Sequence, residues 1–337
     1  MLQPVMRALA ALALAALLVT AAAAAGTMQA LVLNTDGTLA LRAVARPEPG
    51  AGEVRIRVRA AGVNPVDWKL AERLRGGSGP PAIMGFDAAG IIDALGSGVT
   101  GWKVGDEVIA AVRPPAGSYA QYTIARIDSI ALKPKKASFE EAAGIPVAGE
   151  TAWRSLVDVA HLSAGQRILI HGGAGGVGSA AVQIAHARGA HVIATGSANN
   201  VQFLRGLGAD EVIDYHAVRF EQQVKDLDVV LNTADADTNR RSIGIVKPGG
   251  ILVSIVGPPP AQACAAAKIR CAEPNTYRNG GASYAQILKE VVALADAGRF
   301  RMNVDEVLQL SQGAQAWQVN ARGHTRGKLI LEIPASE

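Results

Sequence analysis

The sequence has few charged and few aromatic residues for its length. Of its 337 residues, 18% are charged and 4% are aromatic, whereas 49% are hydrophobic. This composition excludes an intrinsically disordered chain, which combines low hydrophobicity with high net charge. The net charge is only +4, no run of Lys or Arg stands out, and few rings are present on which bases could stack. We therefore predict no nucleic-acid partner and a globular chain long enough for two domains.

Cysteine is almost absent. The chain contains two cysteines, Cys264 and Cys271, and none precedes them. A pair with this spacing and no second pair is a poor zinc site, so we predict no metal. Two readings of the pair stay open. The thiols are incidental in a cytoplasmic protein, or they close a small disulfide loop in an exported one.

Charge is also missing from the N-terminal segment. Arg7 is the only charged side chain before Asp36, and it is followed by an apolar run from Ala8 to Val19 and a small-residue tract, Ala21 to Ala25. This order predicts a secretory signal peptide over residues 1–26. The run is short for a membrane span, so we expect cleavage, a periplasmic or secreted location and no stable membrane insertion. The alternative is a cytoplasmic protein whose true start is Met28.

A glycine-rich stretch carries the first functional signal. Gly173, Gly175 and Gly178 give the pattern G-x-G-x-x-G directly after the apolar run Ile168-Leu169-Ile170. Apolar residues at helical spacing follow, and a second apolar run, Val192-Ile193-Ala194, closes a β-α-β unit. In this context the glycines allow a tight turn, close approach of a diphosphate, and close packing of the helix on the strand. We predict a dinucleotide site there.

A missing carboxylate indicates which dinucleotide is bound. An NAD site needs an acidic residue at the end of the second strand, to bind the ribose hydroxyls. The sequence has Thr-Gly-Ser-Ala-Asn-Asn at 195–200, and the next acidic residue is Asp210. We therefore predict NADP(H). No Lys or Arg stands at this strand end either, and Arg205 is the nearest cation downstream.

The hydrophobic pattern changes along the chain. Short β-type runs and glycines dominate up to about residue 117, with Val54, Ile56 and Val58 alternating toward a core. A helix is predicted over Ser138–Val157, with Ser138 as its cap. From Arg167 strands alternate with helices, the strands being 168–171, 191–194, 211–214, 228–231 and 251–256. A helix over 284–297 and a strand over 327–333 follow. The predicted fold class is α/β, with a small β-rich barrel-like domain and a doubly wound Rossmann domain around a parallel sheet.

Several motifs together resemble the zinc-free quinone oxidoreductases (zeta-crystallin-like) of the medium-chain dehydrogenase/reductase superfamily. The resemblance extends from Met28 to Ile333. The matching stretches are Ala61–Lys69 (AGVNPVDWK), Gly85–Gly90 (GFDAAG), Val104–Val108 (VGDEV), Gly117–Ala120 (GSYA), Ala148–Trp153 (AGETAW), the glycine stretch, Leu207–Asp210 (LGAD), Lys247–Gly250 (KPGG) and Gly323–Lys328 (GHTRGK).

The resemblance implies a GroES-like catalytic domain from residues 28–150 and 285–337, and an NADP-binding Rossmann domain from 151–284. The active site then lies in the cleft between them. Alcohol dehydrogenases of the superfamily carry zinc ligands, a Cys and a His, where this chain has Asn64 and Phe86. The resemblance therefore implies an NADPH-dependent, zinc-independent reductase. Hydride would pass to a quinone or an α,β-unsaturated carbonyl. A homodimer is also implied.

The resemblance also implies site residues. Catalytic candidates are Asn64 as a hydrogen-bond donor, Lys69 as an electrostatic stabiliser, and Tyr119 as a cleft wall or donor. Structural alternatives are a turn at Asn64, a solvated Lys69 and a core position for Tyr119, while Asp67 is expected to cap a helix. The cofactor candidates are Thr151, Gly173, Ala174, Gly175, Gly176, Val177, Gly178, Ser197, Tyr215, Val256 and Gly257.

Two positions depart from the family. Glu150 replaces an apolar residue, so that its carboxylate either lies near the nicotinamide or points to solvent. The Asn232–Asp235 segment replaces a glycine pair. Export also motivates a second hypothesis, in which the chain keeps the fold but binds a small molecule or nucleotide without catalysis.

Overall fold

The computed structural model describes residues 26–78, 81–274 and 282–335. The predicted signal peptide, apart from Gly26, lies outside the described residues. Within these ranges, no helix is both long and apolar enough to cross a bilayer.

The N-terminal part is rich in β-structure. Val54, Ile56 and Val58 are buried as their alternation predicts. A helix, α1 (Pro65–Leu74), follows the third strand and has a proline in its first turn. The strands are β1 (Thr27–Leu33), β2 (Leu39–Ala45), β3 (Glu53–Val63), β4 (Ala82–Ile83), β5 (Asp87–Leu95), β6 (Glu107–Ala111), β7 (Tyr122–Arg126) and β8 (Ile130–Leu132).

The predicted helix over 138–157 is divided in the structure. It forms α2 (Phe139–Ala143), α3 (Ile145–Trp153) and a π-helical turn at Arg154–Val159. The division falls at Gly144, where a Cβ atom would lie 2.5 Å from Cγ of Met302. Ser138 caps α2 as predicted and forms a capping box with Glu141.

The central part forms a parallel sheet of six strands with helices between them. The elements are β9 (Arg167–His171), α4 (Gly176–Ala187), β10 (His191–Gly196), α5 (Val201–Gly206), β11 (Glu211–Asp214), β12 (Leu227–Asn232), α6 (Ala236–Ser242), β13 (Val246–Ser254), α7 (Ala261–Ala266) and β14 (Arg270–Ala272). The strand order in the sheet is β11-β10-β9-β12-β13-β14. This order, with helical crossovers, is the doubly wound arrangement that the alternating pattern predicts, and the α/β fold class is confirmed.

The segment in which the sequence pattern loosens contains the sixth strand. Cys264 of α7 and Cys271 of β14 form a disulfide, with their Cα atoms 6.2 Å apart. The bond ties the edge strand to the helix before it. This strand was not predicted from the sequence, because only three of its residues pair with β13 and so short a strand gives no clear hydrophobic pattern.

The C-terminal part returns to the first domain. It consists of α8 (Tyr284–Asp296), β15 (Val304–Gln309), α9 (Gly313–Arg322) and β16 (Lys328–Glu332). Strand β16 pairs with β3 and β15, within a seven-stranded sheet that also includes β5, β6, β7 and β8. This return brings the last strand to the end of β3, beside the glycine-rich turn of the parallel sheet.

Candidate functional site between the two domains

The glycine-rich turn connects β9 to α4. Gly178 must be glycine because an added Cβ atom would lie 2.1 Å from the carbonyl oxygen of Gly172. Gly175 is the N-cap of α4 and provides no capping side chain, so the first N–H groups of the helix remain available. A Cβ atom there would approach only Gly172, at 3.5 Å. The protein thus leaves space in front of the helix N-terminus, which fits the diphosphate of a dinucleotide.

The segment directly before the final strand, β16, touches this turn. The N–H of Gly327 donates to the carbonyl oxygen of Ala174 at 2.8 Å, and Gly327 forms a β-bridge with Gly175. The side chain of Lys328 passes close to Gly176, where an added Cβ atom would lie 2.9 Å from Cδ of the lysine. The two domains therefore meet at the glycine-rich turn.

Lys328 ends in a buried polar cluster with Asn64 and Asp87. Its ammonium donates to Oδ1 of Asn64 and, at 3.1 Å, to Oδ2 of Asp87. The side-chain nitrogen of Asn64 also donates to Oδ2 of Asp87, at 2.9 Å. The other carboxylate oxygen of Asp87, Oδ1, accepts from the backbone N–H of Val147 at 2.8 Å. All three side chains are at most 4% exposed. Both polar ends of Asn64 are engaged, which fixes the orientation of its amide.

A second buried carboxyl group, Asp67, adjoins this cluster. It accepts the N–H of Asn64 at 2.7 Å, which confirms its predicted capping role. The hydroxyl of Tyr119 donates to the same oxygen at 2.6 Å, and the indole of Trp317 approaches that hydroxyl at 3.4 Å. The pKa of Asp67 is raised to about 7, mainly by burial and to a smaller extent by the charge of Asp87. The hydrogen bonds from Tyr119 and Asn64 and the charge of Lys328 act in the opposite direction.

Two of the three catalytic candidates lie around Asp67, and the third lies elsewhere. Tyr119 occupies a core position, one of the alternatives given above: it is fully buried, and its hydroxyl is held by Asp67. Burial, followed by the charge of Asp67, raises the pKa of its hydroxyl. Lys69 is exposed, and its ammonium lies 5.3 Å from the centre of the Trp68 ring. The cation beside Asn64 is Lys328, to which sequence analysis gave no role.

His171 ends β9 directly before the glycine-rich turn. Its Nε2 lies 3.1 Å from the hydroxyl of Ser242, which itself donates to the carbonyl oxygen of Thr238. The ring nitrogen is therefore the donor in this contact. Burial, and then the charge of Arg241, lower the pKa of His171 to about 3. The imidazole of His171 is therefore neutral at physiological pH and adds no charge next to the glycine-rich turn.

The region expected to lie near the nicotinamide contains Thr151 on α3. Its neighbour Glu150 does not point to solvent, because it is buried and paired with Arg154. Arg154 also contacts Asp158, at 3.4 Å, and the carbonyl oxygen of Ala282, at 3.0 Å. The unexpected carboxylate is thus neutralised by a cation one turn along the helix.

Val256 and Gly257 follow β13 and form a turn beside β12. The amide of Asn239 donates to the carbonyl oxygen of Gly257 at 3.2 Å, and Asn232 donates to Asn239 at 2.7 Å. Asn232 also donates to the backbone of Asp235, so this departure from the family serves to hold the turn. Gly257 has φ 121°, a backbone conformation that favours glycine.

Two further cofactor candidates, Ser197 and Tyr215, directly follow the neighbouring strands β10 and β11. The amide of Asn200 donates to the hydroxyl of Ser197 at 3.1 Å. The N–H of Tyr215 donates to the carbonyl oxygen of Gly196 at 3.4 Å, and the residue is 46% exposed. The structure adds Arg326, whose guanidinium contacts Asn200 at 2.8 Å. No local sequence signal could have placed this cation here.

Fold and site together define a two-domain oxidoreductase with a dinucleotide-binding sheet. Two family models match the chain: the alcohol dehydrogenase GroES-like domain over residues 50–135, and the zinc-binding dehydrogenase model over residues 207–331. The second description names zinc, although Asn64 and Phe86 occupy the positions where sequence analysis places the zinc ligands of the alcohol dehydrogenases.

Individual relatives identify the family within the superfamily. The chain is 34% identical to the mitochondrial NAD(P)H oxidoreductase RTN4IP1 of Danio rerio, over 83% of this chain and 84% of the relative. It is also 34% identical to a chloroplastic NADPH-dependent alkenal/one oxidoreductase of Arabidopsis thaliana, over 85% and 73%. The solved structure of the quinone oxidoreductase from Coxiella burnetii superposes with a TM-score of 0.79, at 30% identity, over 91% of this chain and all of that one. The chain belongs to the quinone oxidoreductase family of the medium-chain dehydrogenase/reductase superfamily, and its cofactor is NADP(H).

Proposed function

We propose that the protein reduces a quinone or an α,β-unsaturated carbonyl compound with NADPH, without zinc. The observation that carries this proposal is the meeting of an open phosphate-binding turn with the buried Asn64–Asp87–Lys328 cluster. Relatives whose names specify quinone and alkenal/one substrates support the substrate class.

Each part of the site has a distinct task in this proposal. NADPH supplies the hydride when it is bound. The N–H groups at the start of α4 bind its diphosphate, and Thr151, Val256 and Gly257 are the candidates for contacts with its nicotinamide half. Lys328, rather than the exposed Lys69, is the cation that we assign to the cleft. Its positive charge, held beside the oriented amide of Asn64, would stabilise negative charge that develops on a substrate oxygen.

The side chains at the positions of the zinc ligands support zinc independence. The amide oxygen of Asn64 already accepts from Lys328, and a bound cation would have to displace that ammonium group. In the described parts of the chain, no three His, Cys, Asp or Glu side chains are grouped as a metal site. We expect treatment with a zinc chelator to leave the reductase activity unchanged.

The direct test follows NADPH oxidation with a 1,4-quinone and with a 2-alkenal as separate acceptors, and identifies both products. Gly175→Val serves as the negative control, because the valine side chain would fill the space in front of α4 that the diphosphate needs. We expect the wild type to turn over at least one acceptor and the variant to lose NADPH binding. A wild-type protein that binds NADPH but reduces neither acceptor would favour the non-catalytic binding function.

We also propose that the protein is exported and that it forms a homodimer. The Cys264–Cys271 disulfide supports export, because disulfides persist mainly in oxidising compartments. N-terminal sequencing of the protein from its own host tests export: a mature start near residues 25–28 in an exported fraction supports it. A cytoplasmic protein that starts at Met28 and has free thiols contradicts it. Light scattering of the purified protein tests the dimer.

A further inference from the structure

Arg326 lies at the end of the second strand of the parallel sheet, far from its place in the sequence. Its Nε donates to the side-chain oxygen of Asn200 at 2.8 Å, across a sequence separation of 126 residues. Its Nη2 donates to the carbonyl oxygen of Asn199 at 3.0 Å. These residues belong to the turn that directly follows β10. This is the strand end where NAD-binding proteins of this fold carry a carboxylate for the ribose hydroxyls.

The position of this guanidinium is fixed from several sides. The next residue, Gly327, is hydrogen-bonded to Ala174 of the phosphate-binding turn. The carbonyl oxygen of Arg326 accepts from the amide of Asn303 at 2.6 Å, and its guanidinium lies 5.5 Å from the centre of the Phe203 ring. The arginine is therefore held at a set distance from the turn that binds the diphosphate.

The hydrogen-bond network continues to Ser197. Asn200 accepts from Arg326 through its oxygen and donates through its nitrogen to the Ser197 hydroxyl. Asp214, which pairs with Gly196 on the neighbouring strand, is engaged by the N–H of His216 at 3.0 Å. Arg326 thus supplies a positive charge at a strand end whose own residues, 195–200, are uncharged.

A guanidinium suits a phosphate and not a hydroxyl pair. It has five N–H donors in a planar fork, and the contacts with Asn199 and Asn200 use two of them. NADPH differs from NADH only by a 2′-phosphate on the adenosine ribose, which is the ribose bound at the end of the second strand in this fold. Resting on the proposed use of NADPH, we propose that Arg326 binds the 2′-phosphate and is the residue that selects NADPH over NADH.

This assignment couples cofactor choice to the arrangement of the domains. Arg326 precedes β16 of the catalytic domain, whereas Ser197 and Asn200 belong to the nucleotide-binding domain. A 2′-phosphate held by both would link the two domains on the adenosine side of the cofactor. The nearest cation that the sequence offered, Arg205, lies on α5 within the nucleotide-binding domain alone.

The test measures binding rather than turnover. Dissociation constants of NADPH and NADH are determined by calorimetry for the wild type, Arg326→Ala, Arg326→Lys and the matched control Arg205→Ala. Losing a charge-assisted contact should weaken NADPH binding by about 10- to 100-fold in Arg326→Ala and leave NADH binding within about twofold. Arg326→Lys should lie between, because it keeps the charge but loses the fork. Arg205→Ala should bind both cofactors as the wild type does.

The other outcomes overturn the assignment. Equal weakening of both cofactors in Arg326→Ala would make Arg326 a structural residue of the turn. An unchanged preference for NADPH, or its loss in Arg205→Ala alone, would place the 2′-phosphate elsewhere. Each of these results leaves the proposed function intact, whereas a wild-type protein that binds neither cofactor overturns the proposed function and this assignment together. Adenosine 2′-monophosphate and adenosine, compared as fragments, isolate the phosphate itself.

Discussion

At the scale of single residues, the site depends on buried charges that have specific partners. Lys328, Asp87 and Asp67 are at most 4% exposed, and together they would carry one net negative charge if all were ionised. Burying an uncompensated charge is costly, and the raised pKa of Asp67 is how the cluster avoids that cost.

Removal of Lys328 should destabilise the protein strongly. Lys328→Met removes the cation that pairs with the buried Asp87 carboxyl group, and we expect a loss of about 3–5 kcal/mol in the free energy of unfolding, measured by urea denaturation. The double variant Asp87→Asn, Lys328→Met has no buried charge at this pair and should recover part of the loss. Equal stability of the single and double variants would contradict this account.

Asp67 should make stability depend on pH. Its folded pKa of about 7 lies above the reference value of 3.8, so the folded state binds the extra proton between these values. The wild type therefore loses stability as the pH rises from about 4 to about 7, by roughly 4 kcal/mol at most. Asp67→Asn keeps an oxygen acceptor but cannot ionise, so its unfolding free energy relative to the wild type should rise across this window.

The measurement is urea denaturation of both proteins at several pH values. His171, with a pKa lowered to about 3, contributes an opposite slope below its unfolded pKa, but it does so in both proteins and cancels in the comparison. A difference between the two proteins that does not change with pH would show that Asp67 ionises normally in the folded state.

At the scale of single elements, two local features of the parallel sheet are open to test: the glycine-rich turn at its centre and the disulfide at its edge. Both depend on close approach of the backbone or on a covalent bond rather than on the burial of large side chains. Each can be perturbed by one small substitution.

Gly178→Ala should damage the turn. The new methyl group would lie 2.1 Å from the carbonyl oxygen of Gly172, so that α4 must move away from β9. We expect a loss of about 1–3 kcal/mol in unfolding free energy and weaker NADPH binding, measured by denaturation and calorimetry. Gly206→Ala on α5 is the matched control, since nothing lies within 4 Å of its added Cβ atom, and it should be neutral or slightly stabilising. Equal effects of the two substitutions would disprove the packing argument.

The disulfide should contribute measurable stability. It closes a loop with a sequence separation of 7, for which the entropic effect is about 2–3 kcal/mol. Cys264→Ser, Cys271→Ser should lower the urea midpoint accordingly, and a reducing agent should affect the wild type but not the double variant. Unchanged stability of the wild type after complete reduction would mean that the bond does not hold the sheet edge.

At the scale of the whole molecule, the cofactor should bind only to the assembled two-domain state. The glycine-rich turn contacts Gly327, which directly precedes β16 of the other domain, and Arg326 reaches the turn after β10. NADPH at 100 times its dissociation constant should therefore stabilise the folded state by about 2.7 kcal/mol and raise the melting temperature. An unchanged melting temperature at millimolar NADPH would contradict a dinucleotide site.

The sequence by itself determined five of the six strands of the parallel sheet, the turn between β9 and α4, and the dinucleotide class. These depend on local spacing: apolar runs of strand length, glycines at fixed intervals, and a missing acid after β10. It also determined the helix caps Ser138 and Asp67, whose partners lie within one helical turn.

The tertiary structure alone decided which side chains meet at the site. Lys328 reaches Asn64 across 264 residues, Arg326 reaches Asn200 across 126, and Tyr119 meets Asp67 across 52. No local pattern encodes contacts over such sequence separations, and the return of β16 to β3 sets the first two of them. For the same reason the sequence left the exposure of Lys69 and the burial of Tyr119 as alternatives that it could not decide, and it gave no signal for the raised pKa of Asp67. Burial and electrostatic neighbours exist only once the chain has folded.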